Sequence, residues 1–199
     1  MLMRFCIPVL CLSFSSTVSM HSIDGQAPSA VGRGRADDKP VTVIHAFAQG
    51  LAGVRAANPD VHLSVGRDPS FSDEPVLVVE YPAPGNDPAG RDVRCDAEHH
   101  DWSVGRAIAF QIKPSHALRL SVSFIDRNGV VYTSWVELQA GTWQRVRLAF
   151  DEMRPNPYFQ PPSAKRGAPI DVSDVAFIAF APQDRSTGSL SIGRFVVEP

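Results

Sequence analysis

The stretch ALRLSVSFIDRNGVVYTSWVEL, residues 117–138, decides the fold. Leu118, Leu120, Val122 and Phe124 alternate with Arg119, Ser121 and Ser123, the period-two pattern of a half-buried strand. A second alternating run, Val130 to Leu138, follows the turn signal Asp126-Arg127-Asn128-Gly129. A two-residue Asn-Gly turn would set Val122 against Trp135 and Leu120 against Glu137, mixing the faces. A three-residue loop, Arg127-Asn128-Gly129 with the glycine left-handed, shifts the pairing by one. Phe124 then meets Tyr132, Val122 meets Ser134, Leu120 meets Val136 and Leu118 meets Leu138. That register is expected because it gives one coherent apolar face.

The same register orders the other face. Arg119 comes to lie across from Glu137, Ser121 from Trp135 and Ser123 from Thr133. A serine opposite an indole leaves the ring uncovered. If the next run, TWQRVRLAF, pairs in the same sheet through Ala140-Gly141, Arg145 falls beside Glu137 and Arg147 beside Trp135. The expected polar face is then Arg119, Ser121, Thr133, Trp135, Glu137, Arg145 and Arg147. It reads either as a docking surface or as a solvated outer face whose ion pairs contribute little. As a docking surface it suits a sugar. The indole stacks on the apolar ring face, and Arg and Glu make directional bonds to the hydroxyls.

Outward from the hairpin, short apolar runs recur between turn signals: VTVIHAF, DVHLSVG, PVLVVEY, RAIAFQIK, DVAFIAFAP and GSLSIGRFVVE. No long stretch keeps a helical period, although one helical turn is expected near Leu51 to Ala57. The expected class is all-β, a two-sheet antiparallel β-sandwich of jelly-roll type spanning residues 41–198. With 199 residues, 44% apolar and 20% charged, the chain has the composition of one globular domain. A net charge of −2 with signs interspersed gives nucleic acid no footprint.

Residues 1–20 combine an early arginine, an apolar run from Phe5 to Phe14 and a small polar stretch. That order predicts a secretory signal, too short for a membrane span, and hence a secreted or periplasmic protein. Leu10 before Cys11 argues against a lipid anchor. Residues 21–40 are expected to be a flexible leader. Removal of the signal leaves Cys95 alone, read as a small buried hydrophobe rather than a nucleophile.

Trp143, out of step with Val146, Leu148 and Phe150, is expected to close an end of the core. Tyr158 and Phe159 lie in a loop stiffened by Pro155, Pro157, Pro161 and Pro162. Such a loop holds rings at low entropy cost as a recognition lip, or tucks them over the sandwich edge. Asp96, Glu98, His99, His100 and Asp101 are mostly neighbours in an extended chain, whose side chains point apart, so no metal site is expected. Trp102 is expected to begin a strand, and His45 and His62 to have structural roles. No nucleophile elbow, His-Glu-x-x-His or phosphate loop is present, so neither catalysis nor a cofactor is expected.

The segments VTVIHAFAQGLAGVR, WSVGRAIAFQIKP, LSVSFIDRNGVVYTSWVEL, TWQRVRLAF, IDVSDVAFIAFAP and GSLSIGRFVV together resemble galactose-binding-like jelly rolls. The layout is similar to family 11 carbohydrate-binding modules and to the complex I intermediate-associated protein domain. The first likeness implies non-catalytic binding of a carbohydrate or glycan, for which the outward Trp135 of the register above would be the stacking platform. Arg119, Glu137, Arg145, Arg147 and Thr133 would accompany it, with Tyr158 and Phe159 at a lip. The second implies a protein-interaction or assembly module with a protein partner. A polysaccharide hydrolase is a third, weaker reading, since the sequence pairs no carboxylates. These families often hold calcium through acids flanking the first Phe and in the final strand. Ala46, Ala48, Gly193 and Arg194 stand there instead, so no bound metal is expected.

Overall fold

The computed structural model describes residues 41–84, 88–97 and 101–199. The expected signal and leader, and Glu98, His99 and His100, lie outside the described residues.

The hairpin has the expected register. Strand β7 (Leu118–Ile125) pairs with β8 (Val131–Leu138) so that Phe124 faces Tyr132, Val122 Ser134, Ser121 Trp135 and Arg119 Glu137. Gly129 takes φ +74°, and its N–H donates to the Asp126 carbonyl at 2.9 Å. The Asp126 carboxylate accepts from the Val130 N–H at 2.8 Å and the Asp171 N–H at 3.0 Å, tying the turn to a second loop.

Around the hairpin stands a six-stranded antiparallel sheet in the order β10-β8-β7-β11-β5-β2. Its other members are β10 (Arg154–Pro155), β11 (Phe177–Pro182), β5 (Val93–Asp96) and β2 (Val54–Ala56). The opposing sheet has seven strands. It contains β1 (Thr42–His45), β3 (His62–Asp68), β4 (Ser72–Tyr81), β6 (Ala107–Pro114), β9 (Gln144–Ala149), β12 (Gly188–Ile192) and β13 (Phe195–Glu198). One side of β6 pairs with β9, while β12 and β13 share the other side and lead to β4-β3 and to β1. The run GSLSIGRFVVE is therefore two strands, parted at Gly193-Arg194. The fold is the expected all-β sandwich.

The apolar faces meet in a core that includes Tyr81, Phe110, Leu120, Val122, Phe124, Ile178, Phe180, Leu190 and Phe195. Trp102 lies at its centre, fully buried, edge-on to Phe124 at 5.4 Å and parallel to Phe150 at 6.3 Å. It begins no strand; its buried area anchors the loop before β6. Residues 51–53 form a turn rather than a helix, and the chain from Val54 enters β2. Cys95 is fully buried, and burial pushes its thiol far above the ordinary value, so it packs as a hydrophobe. His45 is likewise internal, its ring bonded to the Ala52 carbonyl at 3.1 Å and accepting from the Phe47 N–H. His62 is exposed.

Candidate functional site

The outward face of the six-stranded sheet is a trough. Ser121 and Ser123 on β7 are flanked by Ala181 and Ala179 on β11, so the middle of the face has side chains of one or two heavy atoms. On one side Trp135 rises from β8, with Tyr158 and Phe159 beyond it. On the other stand Phe177 of β11 and Arg94 of β5. Together they bound a groove of about 500 Å³, with Asp92, Asn156 and Gln183 contributing to its lining. That volume lies within the usual range for small-molecule sites.

Trp135 is half-buried, lies outside the core and carries the Arg119 guanidinium 5.4 Å above its ring. Arg119 Nε sits 3.5 Å from Glu137 at the rim, and the Glu137 side chain is 79% exposed. Across the trough, Arg94 lies 5.1 Å over the Phe177 ring. The two guanidinium–ring pairs use the same physics: a delocalised cation over an electron-rich face.

The aromatic loop forms a lip. Tyr158 is 88% and Phe159 62% exposed. Their backbone N–H groups both donate to Asn156 Oδ1, at 2.8 and 3.0 Å, and Asn156 Nδ2 donates to Thr133 Oγ1 at 3.0 Å. Gln160 clips the loop to the edge of β8, accepting from the Val131 N–H at 3.0 Å and donating to its carbonyl at 2.8 Å. The rings are held out while the backbone beneath them is fixed.

Three expected partners do not join this site. Arg145 and Arg147 project from β9, which pairs with β6 in the seven-stranded sheet rather than with β8, and both guanidiniums converge on Glu198. Their alternation with Val146 and Leu148 is as expected, but alternation sets the face and not the sheet. Thr133 points outward as expected, yet Asn156 covers it and its hydroxyl is spent on Asn156 and on Ser123 Oγ at 2.8 Å.

Trp143 does not close the core. It lies on the outer face of the seven-stranded sheet, stacked on Phe71 at 4.2 Å, with its indole N–H donating to Asp68 at 3.1 Å. Lys113 pairs with Asp68 and lies 5.8 Å from the indole ring. Phe71 fits flat because Gly193 lies beneath; a Cβ there would meet its ring at 3.2 Å. A hollow of about 410 Å³ opens beside Phe71, between Gln111, Arg145, Arg194, Glu74 and Glu198. Its charges pair among themselves, Arg194 with Glu74 at 3.2 Å and Arg145 with Glu198.

Sequence reasoning missed Arg94, Asp92, Phe177, Asn156 and Gln183. The phase of Phe177, one position off Ile178 and Phe180, was the available signal for an outward ring. Asn156 before Pro157 was the signal for a side chain capping its own loop. Of the acidic and histidine cluster, Asp96 pairs with Arg55 at 2.6 Å and Asp101 turns back onto Ser103. Among the described residues, no three His, Cys, Asp or Glu side chains gather as a metal site. Nor is any helix among them long and apolar enough to cross a membrane.

The architecture is a two-sheet antiparallel jelly-roll sandwich. It is similar to the family 11 carbohydrate-binding module from Clostridium thermocellum solved with a β-1,3-1,4-mixed-linked tetrasaccharide (TM-score 0.62, 16% identity, 79% of this chain and 95% of that one). It is also similar to the family 11 module of a cellulosomal cellulase of Clostridium thermocellum (TM-score 0.55, 19% identity, 85% and 96%). A family 30 module of another cellulosomal cellulase from that organism shares the fold (TM-score 0.56, 14% identity, 80% and 98%). At these identities the likeness establishes fold. No protein-family model matches the sequence, and no curated protein matches it in sequence.

Proposed function

We propose that this is an exported, non-catalytic carbohydrate-binding protein whose ligand lies in the groove of the six-stranded sheet. The observation that carries the reading is the trough of Ser121, Ser123, Ala179 and Ala181, walled by the outward rings of Trp135, Tyr158, Phe159 and Phe177. Sugars present apolar C–H faces and a fringe of hydroxyls. Rings on the walls receive the former, and serine, amide and guanidinium groups at the floor and rim receive the latter. Arg119 and Glu137 act at the rim beside Trp135. The solved family 11 complex with a tetrasaccharide, on the same fold, supports the reading by analogy.

Glycoside hydrolysis needs two carboxyls facing each other across the bond. Among the described residues lining the groove, Asp92 alone carries one. A glycan array with wild type, Trp135→Ala and the Tyr158→Ala/Phe159→Ala double variant tests the function. Binding that falls in both variants is expected; no signal in any wild-type sample would refute it. Export is tested separately, by mass spectrometry of the mature N-terminus in the culture or periplasmic fraction.

A further inference from the structure

Two guanidiniums face this groove and its rim, those of Arg94 and Arg119. Arg55, level with Arg94 on the neighbouring strand, pairs with Asp96 at 2.6 Å, and on the opposite sheet Arg194 pairs with Glu74 at 3.2 Å and Arg145 and Arg147 with Glu198. In the groove, Arg94 has no ion-pair partner among the described residues; its guanidinium rests on Phe177. Arg119 rests on Trp135 and pairs with Glu137 at 3.5 Å, a carboxylate that is 79% exposed, so the pair has little energetic weight. A guanidinium lying over a ring keeps its N–H edge free for planar, two-pronged recognition of a carboxylate. Among the described residues the lining carries one carboxylate, Asp92, and the rim beside Arg119 a second, Glu137.

The strand registers fix the spacing of the two arginine backbones, and each guanidinium is tied to its own ring. Arg94 is level with Ala179, and Ala179 with Ser123; Arg119 lies four residues further along β7. With ordinary strand geometry that is about 13 Å along the strands and about 10 Å across them. One carboxylate cannot engage both. They fit two acidic groups carried on separate units of one chain that crosses the trough diagonally, with the aromatic walls taking the rings between.

We infer that the ligand is an acidic polysaccharide built from uronic acid units, at least two of whose carboxylates are read by Arg94 and Arg119. This inference rests on the groove being a carbohydrate site. The test is titration calorimetry at low salt with uronic acid hexamers (galacturonate, mannuronate, guluronate and glucuronate types). Each hexamer is compared with its methyl-esterified form and with a sulfated neutral hexamer. At least one free-acid hexamer is expected to bind tenfold or more tightly than its ester, and to weaken as NaCl is raised. Arg94→Gln and Arg119→Gln should each cut the free-acid affinity about tenfold and change the ester's less than twofold. Arg145→Gln should change neither. Equal binding of acid and ester, both lost in Trp135→Ala, would overturn the acidic specificity while leaving the groove as a sugar site. Binding of no uronate, or tighter binding of the sulfated hexamer than of every uronate, would also overturn it. Loss of all glycan recognition on the array is the separate result that removes the groove itself.

Discussion

Both outer faces of the sandwich carry a tryptophan, a phenylalanine and arginines, yet they are finished differently. On the seven-stranded sheet, Trp143 and Phe71 cover each other, Asp68 takes the indole N–H, and the arginines close on Glu198 and Glu74. On the six-stranded sheet, Trp135 and Phe177 stand apart across a floor of serine and alanine, each under a guanidinium. The first surface satisfies its own bonding capacity. The second leaves rings and donors for something else. Residue type does not separate the closed patch from the open one here; partnering does.

The comparison breaks most visibly at the two indoles. Trp135→Ala should weaken glycan binding by on the order of 2 kcal/mol, about thirtyfold, with the thermal midpoint near wild type, because the ring lies outside the core. Trp143→Ala should do the reverse. Affinity stays within about twofold, while loss of the stack and the indole bond costs on the order of 1–3 kcal/mol. Paired calorimetry and thermal melts read both outcomes, and an exchange of the two phenotypes would refute the assignment of faces.

A smaller effect sharpens the account of the lip. Asn156→Ala removes the acceptor of the Tyr158 and Phe159 N–H groups and the bond to Thr133, freeing the loop without touching either ring. Affinity should fall about three- to tenfold through lost order, visible as a less favourable binding entropy. Arg147→Gln, on the closed face, should leave affinity unchanged within about twofold.

The smallest expected effect is on acid stability. Hydrogen bonds from Lys113 first, then Ser70, hold the Asp68 carboxyl well below its ordinary 3.8. A carboxyl depressed in the folded state contributes stability that is complete above its unfolded value. That contribution fades as pH falls from about 4 toward the folded value. Asp68→Asn should therefore lose stability relative to wild type at neutral pH, and the gap should narrow progressively below about pH 4 in denaturant titrations. Glycan affinity at neutral pH should be indifferent to this substitution.

How much was legible follows from what alternation encodes. Hairpin register was readable because only one loop length buries Leu118, Leu120, Val122 and Phe124 together with Tyr132, Val136 and Leu138. It placed Trp135 outward, opposite Ser121, and Arg119 opposite Glu137. The sheet that receives β9 was not readable. Val146 and Phe150 turn inward equally well on either side of the sandwich, so Arg145 and Arg147 went to the wrong face. Strand β5 is four residues with an arginine and an aspartate, too short and too polar to show a period. Arg94 becomes part of the site only because β11 brings Phe177 beside it. Thr133 obeyed its phase but was covered by a loop side chain from Asn156, a long-range contact that no local pattern announces.

The six-stranded sheet is bounded by very short strands, Arg154–Pro155 at one edge and Val54–Ala56 at the other. Pro155 has no N–H to offer, and Gln160 occupies the β8 backbone at Val131 beyond it. Along this sheet such borders give a neighbouring copy no long row of free amides to zip onto. Any side-by-side pairing of copies through backbone amides is thereby left to the longer border strand His62–Asp68 of the other sheet.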